Sequence, residues 1–366
     1  MRILAIESSC DETAAAVIEN GTTIISNVVS TSKEMHEKYG GIVPEVAARM
    51  QLSYILPAIT EALAPYNKQS NHSLLTLINE HIDAIAIAVG PGLIGSLLVG
   101  VETAKTIAMV THKPIIPVNH VLAHMYANFI NINQHKTNNS ETKQENLQIQ
   151  FPAISLVVSG GHTELYLMHS PNKLVWLGGT LDDAAGECFD KTARLLGFGH
   201  GGGVSIQEAA GKFQPSDTLP NPIRLPRPML DRDNELNFSF SGLKTAILRE
   251  VNMCKTNNLF SEASIRYLSH EVQETITDVL VKKTLLAAHK HNAKSILLSG
   301  GVSANLRLRE KFQTTLTHEH IDLYVPPVTL CTDNAVYIGA YAYFRGTPEP
   351  WNNINAVPNL SVEVLS

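Results

Sequence analysis

The residues Ile154-Ser-Leu-Val-Val-Ser-Gly-Gly-His-Thr-Glu-Leu-Tyr-Leu-Met168 decide the fold, because they restart a pattern already present at the beginning of the chain. Residues 154–158 and 164–168 are short apolar runs on either side of a glycine turn. Such runs, bounded by turn residues, are typical of strands. We therefore expect two strands joined by a tight turn, followed by a third strand at residues 174–177.

The first half of the chain has the same order of elements. Residues 2–6 predict a strand, Glu7-Ser-Ser-Cys-Asp-Glu-Thr13 a polar loop, and residues 14–18 a second strand. Each half then continues with a strand, a glycine-containing turn and a helix, at residues 82–110 in the first half and 295–312 in the second. The repetition predicts a duplicated α/β fold whose two domains face each other across a cleft.

The composition sets the domain boundaries. We expect a first domain at residues 1–130 plus about 325–350, and a second domain at residues 151–324. Residues 131–150 are polar and predict a mobile loop, and residues 67–80 read as a polar surface insertion. Residues 351–366 have few periodic positions and predict a peripheral tail.

Several classes of protein are disfavoured by the composition. The chain has 366 residues, 44% of them hydrophobic and 17% charged, which suits a folded globular protein. Its longest apolar run, residues 82–101, is divided by Gly90-Pro91-Gly92 into a strand and a helix and is not expected to span a membrane. Four scattered cysteines without a CxxC motif argue against a disulfide framework and favour the cytoplasm.

The net charge of −6 argues mildly against a broad surface for nucleic acid. Any contact with RNA would therefore be local or shared with a partner. Arg224, Arg227 and Arg232 are the best local candidates, although a surface loop is the simpler interpretation.

The stretch Asn119-His-Val-Leu-Ala-His124 predicts a helix start that could bind a metal ion. Asn119 is a good N-cap residue, and His120 and His124 are four residues apart, on one helical face. A zinc protease would need Glu where Val121 stands, so that class is disfavoured. The pair needs a third ligand from elsewhere, and two ordinary helix histidines remain the alternative.

Glycine turns after strands offer backbone N–H groups to phosphate oxygens. Here they are Ser159-Gly160-Gly161 and Ser299-Gly300-Gly301, with a further polar loop at residues 8–11. The Rossmann and P-loop signatures do not occur in a convincing place, but two such turns at equivalent points make a bound nucleotide reasonable. Asn305 could bind a base or ribose, or it could cap a helix. The acids Asp183, Glu187 and Asp190 could form a solvated helix face.

Nine segments, in order from residue 7 to residue 334, jointly resemble one protein family. The chain is similar to the TsaD family, the tRNA N6-adenosine threonylcarbamoyltransferases once described as glycoproteases. The segments are Glu7-Ser-Ser-Cys-Asp-Glu-Thr13, Tyr39-Gly-Gly-Ile-Val-Pro-Glu45, Gly90-Pro-Gly-Leu93, Asn119-His-Val-Leu-Ala-His124, Val158-Ser-Gly-Gly-His-Thr163, Asp182-Asp-Ala-Ala-Gly-Glu187, Phe189-Asp-Lys191, Ser299-Gly-Gly-Val-Ser-Ala-Asn305 and Cys331-Thr-Asp-Asn334.

The resemblance implies an actin/hexokinase/Hsp70-like (ASKHA) fold, which is a duplicated two-domain α/β architecture with a central nucleotide cleft. It implies one divalent metal per subunit, Fe2+ before Zn2+, held by His120, His124 and Asp333. It also implies contacts with threonylcarbamoyl-AMP from eight residues. These are Val157, Val158, Ser159, Gly160, Gly161, Asp190, Gly203 and Asn305.

Three departures from the family pattern stand out. Family members commonly have Pro where Gly201 stands and His where Gln51 stands. The insertions at residues 67–80 and 131–150 are also longer than the family pattern implies. None of these departures affects the three expected metal ligands.

The activity implied by the resemblance is transfer of a threonylcarbamoyl group from its AMP anhydride to the N6 amine of adenosine 37, in tRNAs reading ANN codons. The metal would act as a Lewis acid and template, and N–H groups at residues 159–161 would stabilise developing charge. Asp11 and Glu12, on the polar loop after the first strand, are candidates for proton transfer.

The expected partners are tRNA, TsaB-like and TsaE-like proteins, and a TsaC-like enzyme that supplies the intermediate; no membrane is expected. A sugar kinase or chaperone-like ATPase of the same fold is the alternative enzyme class. A non-catalytic scaffold subunit is the third interpretation, although a scaffold has no need of three metal ligands.

Overall fold

The computed structural model describes residues 1–32, 43–67, 72–131, 149–199, 201–217, 219, 222–230 and 235–363. The chain divides into two compact units. Met1–Ile149 and Val328–Val364 form the first unit, and Gln150–Pro327 form the second. Each unit contains a five-stranded sheet and its own hydrophobic core.

The first unit begins with a three-stranded meander and continues with parallel strands. Its elements up to residue 131 are β1 (Arg2–Glu7), β2 (Glu12–Glu19), β3 (Thr23–Thr31), α1 (Pro44–Ala62), α2 (Leu74–His81), β4 (Ala84–Gly90), α3 (Ile94–Thr111), β5 (Ile115–Asn119), α4 (His120–Ala123) and a 3₁₀ helix at His124–Phe129. The sheet order is β3-β2-β1-β4-β5, with β1, β2 and β3 antiparallel and β4 and β5 parallel to β1. Asn20 and Gly21, in the connection between β2 and β3, have positive φ values of 52° and 71°, and the N–H of Thr22 donates to the carbonyl of Glu19 at 3.3 Å to close the turn.

The second unit repeats this plan. Its elements are β6 (Ala153–Val158), β7 (Thr163–Ser170), β8 (Lys173–Gly179), α5 (Ala185–Leu195), α6 (Gly202–Gly211), α7 (Ser241–Thr256), α8 (Glu262–Lys290), β9 (Ser295–Ser299), α9 (Leu306–Leu316) and β10 (Asp322–Tyr324). The sheet order is β10-β9-β6-β7-β8, in which β6, β7 and β8 are antiparallel and β9 and β10 run parallel to β6. Strand for strand, this order and these directions match the first sheet, so the predicted duplication is confirmed.

The chain returns to the first unit as α10 (Val336–Phe344). This helix packs closely on the sheet, because a Cβ atom at Gly339 would lie only 2.7 Å from Ile18 and 3.3 Å from Ala5. The close packing fixes the position of the residues just before the helix, which include Asp333.

The apolar run at residues 82–101 forms β4 and the start of α3, as expected from the Gly-Pro-Gly turn. By length and composition, α3 could cross a membrane. Leu97, Val101 and Ala104 are nevertheless fully buried in the core of the first unit. The burial of these side chains therefore identifies α3 as a core helix of the first unit.

Two surface segments make contacts with the core that the sequence pattern did not indicate. Residues 74–80 of the expected polar insertion belong to α2, which Ser73 caps and which buries Leu77 and Ile78. Residues 351–363 are mostly exposed, but Ile354 is 1% exposed and packs in the first core. Extended backbone with isolated apolar contacts has no periodic signature. Most of the expected mobile loop, at residues 132–148, lies outside the described residues.

The burial of Ile354 makes a stability prediction. We expect Ile354→Ala to lower the free energy of unfolding by about 2–5 kcal/mol, the usual loss when a buried Ile is truncated. Urea denaturation followed by circular dichroism measures this change. Val357→Ala, at a side chain 39% exposed, is the control and should change stability little. Equal stability of the two variants would show that the segment does not pack as described.

Candidate metal centre and glycine turns

Asn119 begins the one-turn helix α4, which carries His120 and continues directly into the 3₁₀ helix that begins at His124. Its Oδ1 accepts hydrogen bonds from the N–H groups of Val121 and Leu122, at 3.1 and 3.2 Å. This is the predicted N-cap. After one turn the helix tightens to 3₁₀ geometry, which leaves the His120 and His124 rings edge to face with centroids 4.9 Å apart.

Asp333 completes the cluster from a distant part of the sequence. One carboxylate oxygen, Oδ1, lies 3.7 Å from Nε2 of His120 and 3.5 Å from Nε2 of His124. The same oxygen accepts a hydrogen bond of 3.3 Å from the hydroxyl of Tyr337 on α10. The structure thus brings together the three side chains expected to bind metal, and their ligand atoms lie within 4.8 Å of one another.

The donor set fits a divalent cation. Two nitrogens and a carboxylate oxygen, each about 2.0–2.2 Å from a tetrahedral ion, lie about 3.3 Å apart. The separations of 3.5 and 3.7 Å are close to that value. Three protein ligands also leave coordination positions open, as in catalytic sites. The centre could therefore hold a metal after only small side-chain movements.

Glu7, at the end of β1, is a functional candidate that the sequence motifs did not single out. Its Oε2 lies 2.9 Å from Nδ1 of His120, and its Oε1 accepts a hydrogen bond of 2.5 Å from the N–H of Ser9. A carboxylate on Nδ1 keeps the proton on that nitrogen and leaves Nε2 free to coordinate. The feature of the sequence that could have pointed to Glu7 is its position directly after an apolar strand.

The two carboxylates control the protonation of the cluster. Burial lowers the pKa of His120, but the charges of Glu7 and Asp333 outweigh it and raise the pKa to about 9. Burial lowers the pKa of His124. Although burial disfavours the charged form of Asp333, the two imidazoles and Tyr337 hold its pKa well below the usual range. The cluster therefore combines two carboxylates with two imidazoles, a charge balance that attracts a cation.

The charge of Asp333 also affects the loop before β2. Burial, followed by the charges of Asp333 and Asp11, raises the pKa of Glu12 to about 10. Both Glu12 and Asp11, the proton-transfer candidates, are partly exposed. Either carboxyl group can therefore meet a ligand as well as the protein.

Gln51 on α1 holds this loop in place. Its side chain is 1% exposed. Nε2 lies 2.9 Å from the carbonyl oxygen of Cys10, 3.1 Å from that of Glu12 and 3.4 Å from that of Ser8. The departure from the family pattern at this position thus has a structural role.

In the second unit, two glycine turns and the start of a helix lie together at the carboxyl-terminal ends of the inner strands β6 and β9. Gly186, in the first turn of α5, donates its N–H to the carbonyl of Ser159 at 3.2 Å, and a Cβ there would overlap that carbonyl. A Cβ at Gly300 would overlap the carbonyl of Val158. By contrast, Gly160 and Gly161 face open space among the described residues. Val157 and Val158 are fully buried, main chain included, so in this structure they support the turn and offer no surface to a ligand.

Asp190 and Gly203 also lie together. The Asp190 carboxylate accepts hydrogen bonds from the N–H groups of Gly202 and Gly203 at the start of α6. Burial outweighs these bonds and raises the pKa of Asp190. Gly201 precedes the helix with φ of 74°, a conformation that the Pro common in the family could not adopt.

Asn305 has the capping role that was left open. Its Oδ1 accepts a hydrogen bond of 3.0 Å from the N–H of Leu308, and its Nδ2 donates to Oε1 of Gln273 at 3.1 Å. One hydrogen of Nδ2 remains for a ligand.

The acidic stretch before and within α5 is largely neutralised by the protein. The Asp182 carboxylate accepts hydrogen bonds from the N–H groups of Phe240 and Ser241, and it lies before α5, which starts at Ala185. Lys191 pairs with Asp183 at 2.6 Å and with Glu187 at 2.9 Å.

The expected arginine patch is only partly available. Arg227 pairs with Asp278 at 3.1 Å, whereas Arg224 is exposed. Arg232 lies outside the described residues.

Comparison with known proteins identifies a family. The family model for TsaD, tRNA N6-adenosine threonylcarbamoyltransferase, matches residues 23–340. A protein of that name from Syntrophomonas wolfei is 42% identical over 98% of this chain and 97% of its own. Namesakes from Persephonella marina and Kosmotoga olearia are 43% and 42% identical, and cover 94% and 100% of this chain and 90% and 100% of their own.

Solved structures support the fold. HypF from T. kodakarensis has a TM-score of 0.56 at 13% identity, over 93% of this chain and 47% of that one. A full-length HypF in phosphate- and nucleotide-bound form has a TM-score of 0.52 at 14% identity, over 93% and 46%. At this identity the likeness concerns the fold alone, and it agrees with the ASKHA architecture expected from the sequence.

The contacts of Gln51 make a prediction about the loop before β2. Gln51→Glu replaces the donating amide with a carboxylate that faces carbonyl oxygens, so we expect a loss of about 1–3 kcal/mol in unfolding free energy. Chemical denaturation measures this loss. Gln51→His keeps one N–H donor and should lose less. Equal stability of Gln51→Glu and the parent chain would contradict the role of the amide.

Proposed function

Because this chain belongs to the TsaD family and is a tRNA N6-adenosine threonylcarbamoyltransferase, we propose that His120, His124 and Asp333 bind the divalent metal ion used in forming threonylcarbamoyladenosine (t6A) in tRNA. The observation that carries this proposal is the approach of two Nε2 atoms to one Asp333 oxygen, at 3.5 and 3.7 Å. The relatives give no support to a sugar kinase or a chaperone-like ATPase.

In the proposed reaction, the donor is threonylcarbamoyl-AMP and the acceptor is N6 of adenosine 37 in tRNAs reading ANN codons. A C–N bond forms at the carbamoyl carbon, the bond from that carbon to the phosphate oxygen breaks, and AMP leaves. The amine loses one proton. Since the exocyclic amine is a weak nucleophile, we expect most of the rate to come from positioning and from stabilisation of charge on the carbonyl oxygen.

The donor would bind to the second unit through backbone groups. Gly160 and Gly161 have open space where side chains would otherwise stand, which lets anionic oxygens approach their N–H groups. Ser159 would continue the same surface, with the buried Val157 and Val158 supporting it from below. The free hydrogen of Asn305 Nδ2 would reach a sugar or base. Asp190 and Gly203 would form a further edge of the donor site, at the start of α6.

The metal would be held by the two Nε2 atoms and the Asp333 carboxylate, with Glu7 orienting His120. When bound, such an ion supplies Lewis-acid polarisation of an oxygen ligand. Two imidazoles and one carboxylate suit Fe2+ as well as Zn2+, and we propose Fe2+ first.

Asp11 and Glu12 remain our candidates for proton transfer. The raised pKa of Glu12 favours a protonated carboxyl group at neutral pH, suited to donating a hydrogen bond. Asp11 is then the better candidate for accepting the proton that the amine loses.

The proposed partners are those that the family resemblance implies. A separate, TsaC-like enzyme would supply the reactive intermediate, and we propose that TsaB-like and TsaE-like proteins assist the chain in the cytoplasm. A net charge of −6, which gives this chain little general attraction for RNA, fits a need for such help.

Loss of one metal ligand tests the proposal. We expect His120→Ala to lose bound iron and at least 100-fold of t6A formation, about the size of a removed catalytic interaction. The measurements are metal analysis and mass spectrometry of tRNA nucleosides after incubation with threonylcarbamoyl-AMP and partner proteins. His289→Ala, at a side chain 54% exposed, is the control. Normal t6A formation by folded His120→Ala would end the metal proposal.

Loss of the orienting carboxylate should have a smaller effect. Glu7→Gln cannot accept hydrogen bonds from both Ser9 and His120, so we expect metal affinity to fall about 10- to 100-fold. Equilibrium dialysis against Zn2+ measures the affinity. Glu45→Gln, at an exposed carboxylate paired with Arg49, should leave it unchanged. Unchanged affinity in Glu7→Gln would show that Glu7 does not orient His120.

A further inference from the structure

Residues 354–363, which we call the C-terminal strap, contact two parts of the chain near the metal centre: the turn after β4 and the side chain of Asn119. The strap starts in the core of the first unit, where Ile354 is 1% exposed and Leu360 packs at the edge. Beyond the core, its contacts are made by main-chain groups. No motif or periodicity in the sequence connects this segment with the site.

The first connection runs through the turn after β4. The N–H of Val357 donates to the carbonyl of Val89 at 2.7 Å, and the N–H of Gly92 donates to the carbonyl of Pro358 at 3.1 Å. The approach is so close that a Cβ atom at Gly90 would overlap the carbonyl of Val357. The strap therefore determines where this turn lies.

The same turn supports the loop beside His120. The N–H of Leu93 donates to the carbonyl of Ser9 at 2.8 Å, and a Cβ at Gly92 would overlap that carbonyl. Ser9 in turn contacts Glu7, and its hydroxyl lies 3.3 Å from Nδ1 of His120. A series of contacts thus connects the strap, through the turn after β4 and the loop at Ser9, with the imidazole of His120.

The second connection is a single side chain. Nδ2 of Asn119 donates to the carbonyl of Ser361 at 2.9 Å, while Oδ1 of the same carboxamide caps α4. With only four residues, α4 has little rigidity of its own, so its direction depends on its cap. One carboxamide therefore joins the strap to the helix that carries His120 and leads directly to His124.

We propose that the C-terminal strap is a positioning element of the metal centre and that Asn119 is the positioning residue that couples them. The proposal rests on the metal-binding role of His120, His124 and Asp333. It has a reciprocal consequence, since two coupled events affect each other's free energy equally. Ordering of the strap strengthens metal binding, and metal binding slows opening of the strap.

Asn119→Ser separates the two functions of the carboxamide. Serine still caps a helix start, but it is too short to reach Ser361 as Asn119 does. The matched control is Asn355→Ser, which removes an exposed hydrogen bond of 3.0 Å between Asn355 and Asn353 inside the strap region. The probe is Co2+, added to the metal-free full chain and followed by its visible absorption.

We expect Asn119→Ser to bind Co2+ about 5- to 150-fold more weakly than the parent chain, the usual range of a coupling between two sites. Asn355→Ser should bind as the parent does. Equal Co2+ affinity in folded Asn119→Ser and the parent would overturn the proposal. If the parent binds no Co2+ and His120→Ala behaves identically, the metal proposal itself fails.

Hydrogen exchange gives a second measurement, whose decisive comparison can be made on the parent chain alone. In the parent chain, Co2+ should slow exchange of the Val357 and Leu360 amides, and in Asn119→Ser it should not. A parent chain whose strap amides exchange at the same rate with and without Co2+ would contradict the coupling, whether or not Asn119→Ser folds. Since neither readout uses tRNA, both are independent of the transfer reaction.

Discussion

The site depends on one interaction in the first unit, the approach of the Asp333 carboxylate to two imidazoles. Burying a carboxylate is costly unless charges and hydrogen bonds compensate it. Here His120, His124 and the Tyr337 hydroxyl all approach its Oδ1 atom. On the far side of His120, the buried Glu7 adds a second negative charge. A cation between the two Nε2 atoms and Asp333 would complete this arrangement, which explains why two acids and two imidazoles lie together in a mostly apolar core.

The supporting structure holds each of these groups in place by a different means. Asn119 caps the one-turn helix, Gly339 lets α10 approach the sheet, and Ser9 links Glu7 to the turn after β4. In the second unit, Gly186 and Gly300 allow the backbone to pass close to the Ser159 turn. In the second unit, small residues therefore allow helix starts and turns to lie together at the carboxyl-terminal ends of β6 and β9, where their N–H groups can bind an anionic ligand.

Much of the fold was predictable because its signals are local. The strand–turn–strand patterns and the Asn119 cap depend on neighbouring residues, and the structure confirms them. Asp333 has no such signal, since nothing near it in the sequence points to His120, and only the family resemblance suggested the pairing. The roles of Gln51 and Glu7 were missed for the same reason, since they depend on contacts with residues 8–12 and 120. The contacts of the strap were also missed, because main-chain hydrogen bonds leave no trace in side-chain periodicity.

The most direct test of the metal centre is anomalous diffraction from crystals of the iron-loaded chain, recorded on both sides of the iron absorption edge. The account predicts one anomalous peak about 2.0–2.2 Å from Nε2 of His120, Nε2 of His124 and a carboxylate oxygen of Asp333. A peak that lies elsewhere, or one that leaves Asp333 uncoordinated, would contradict it.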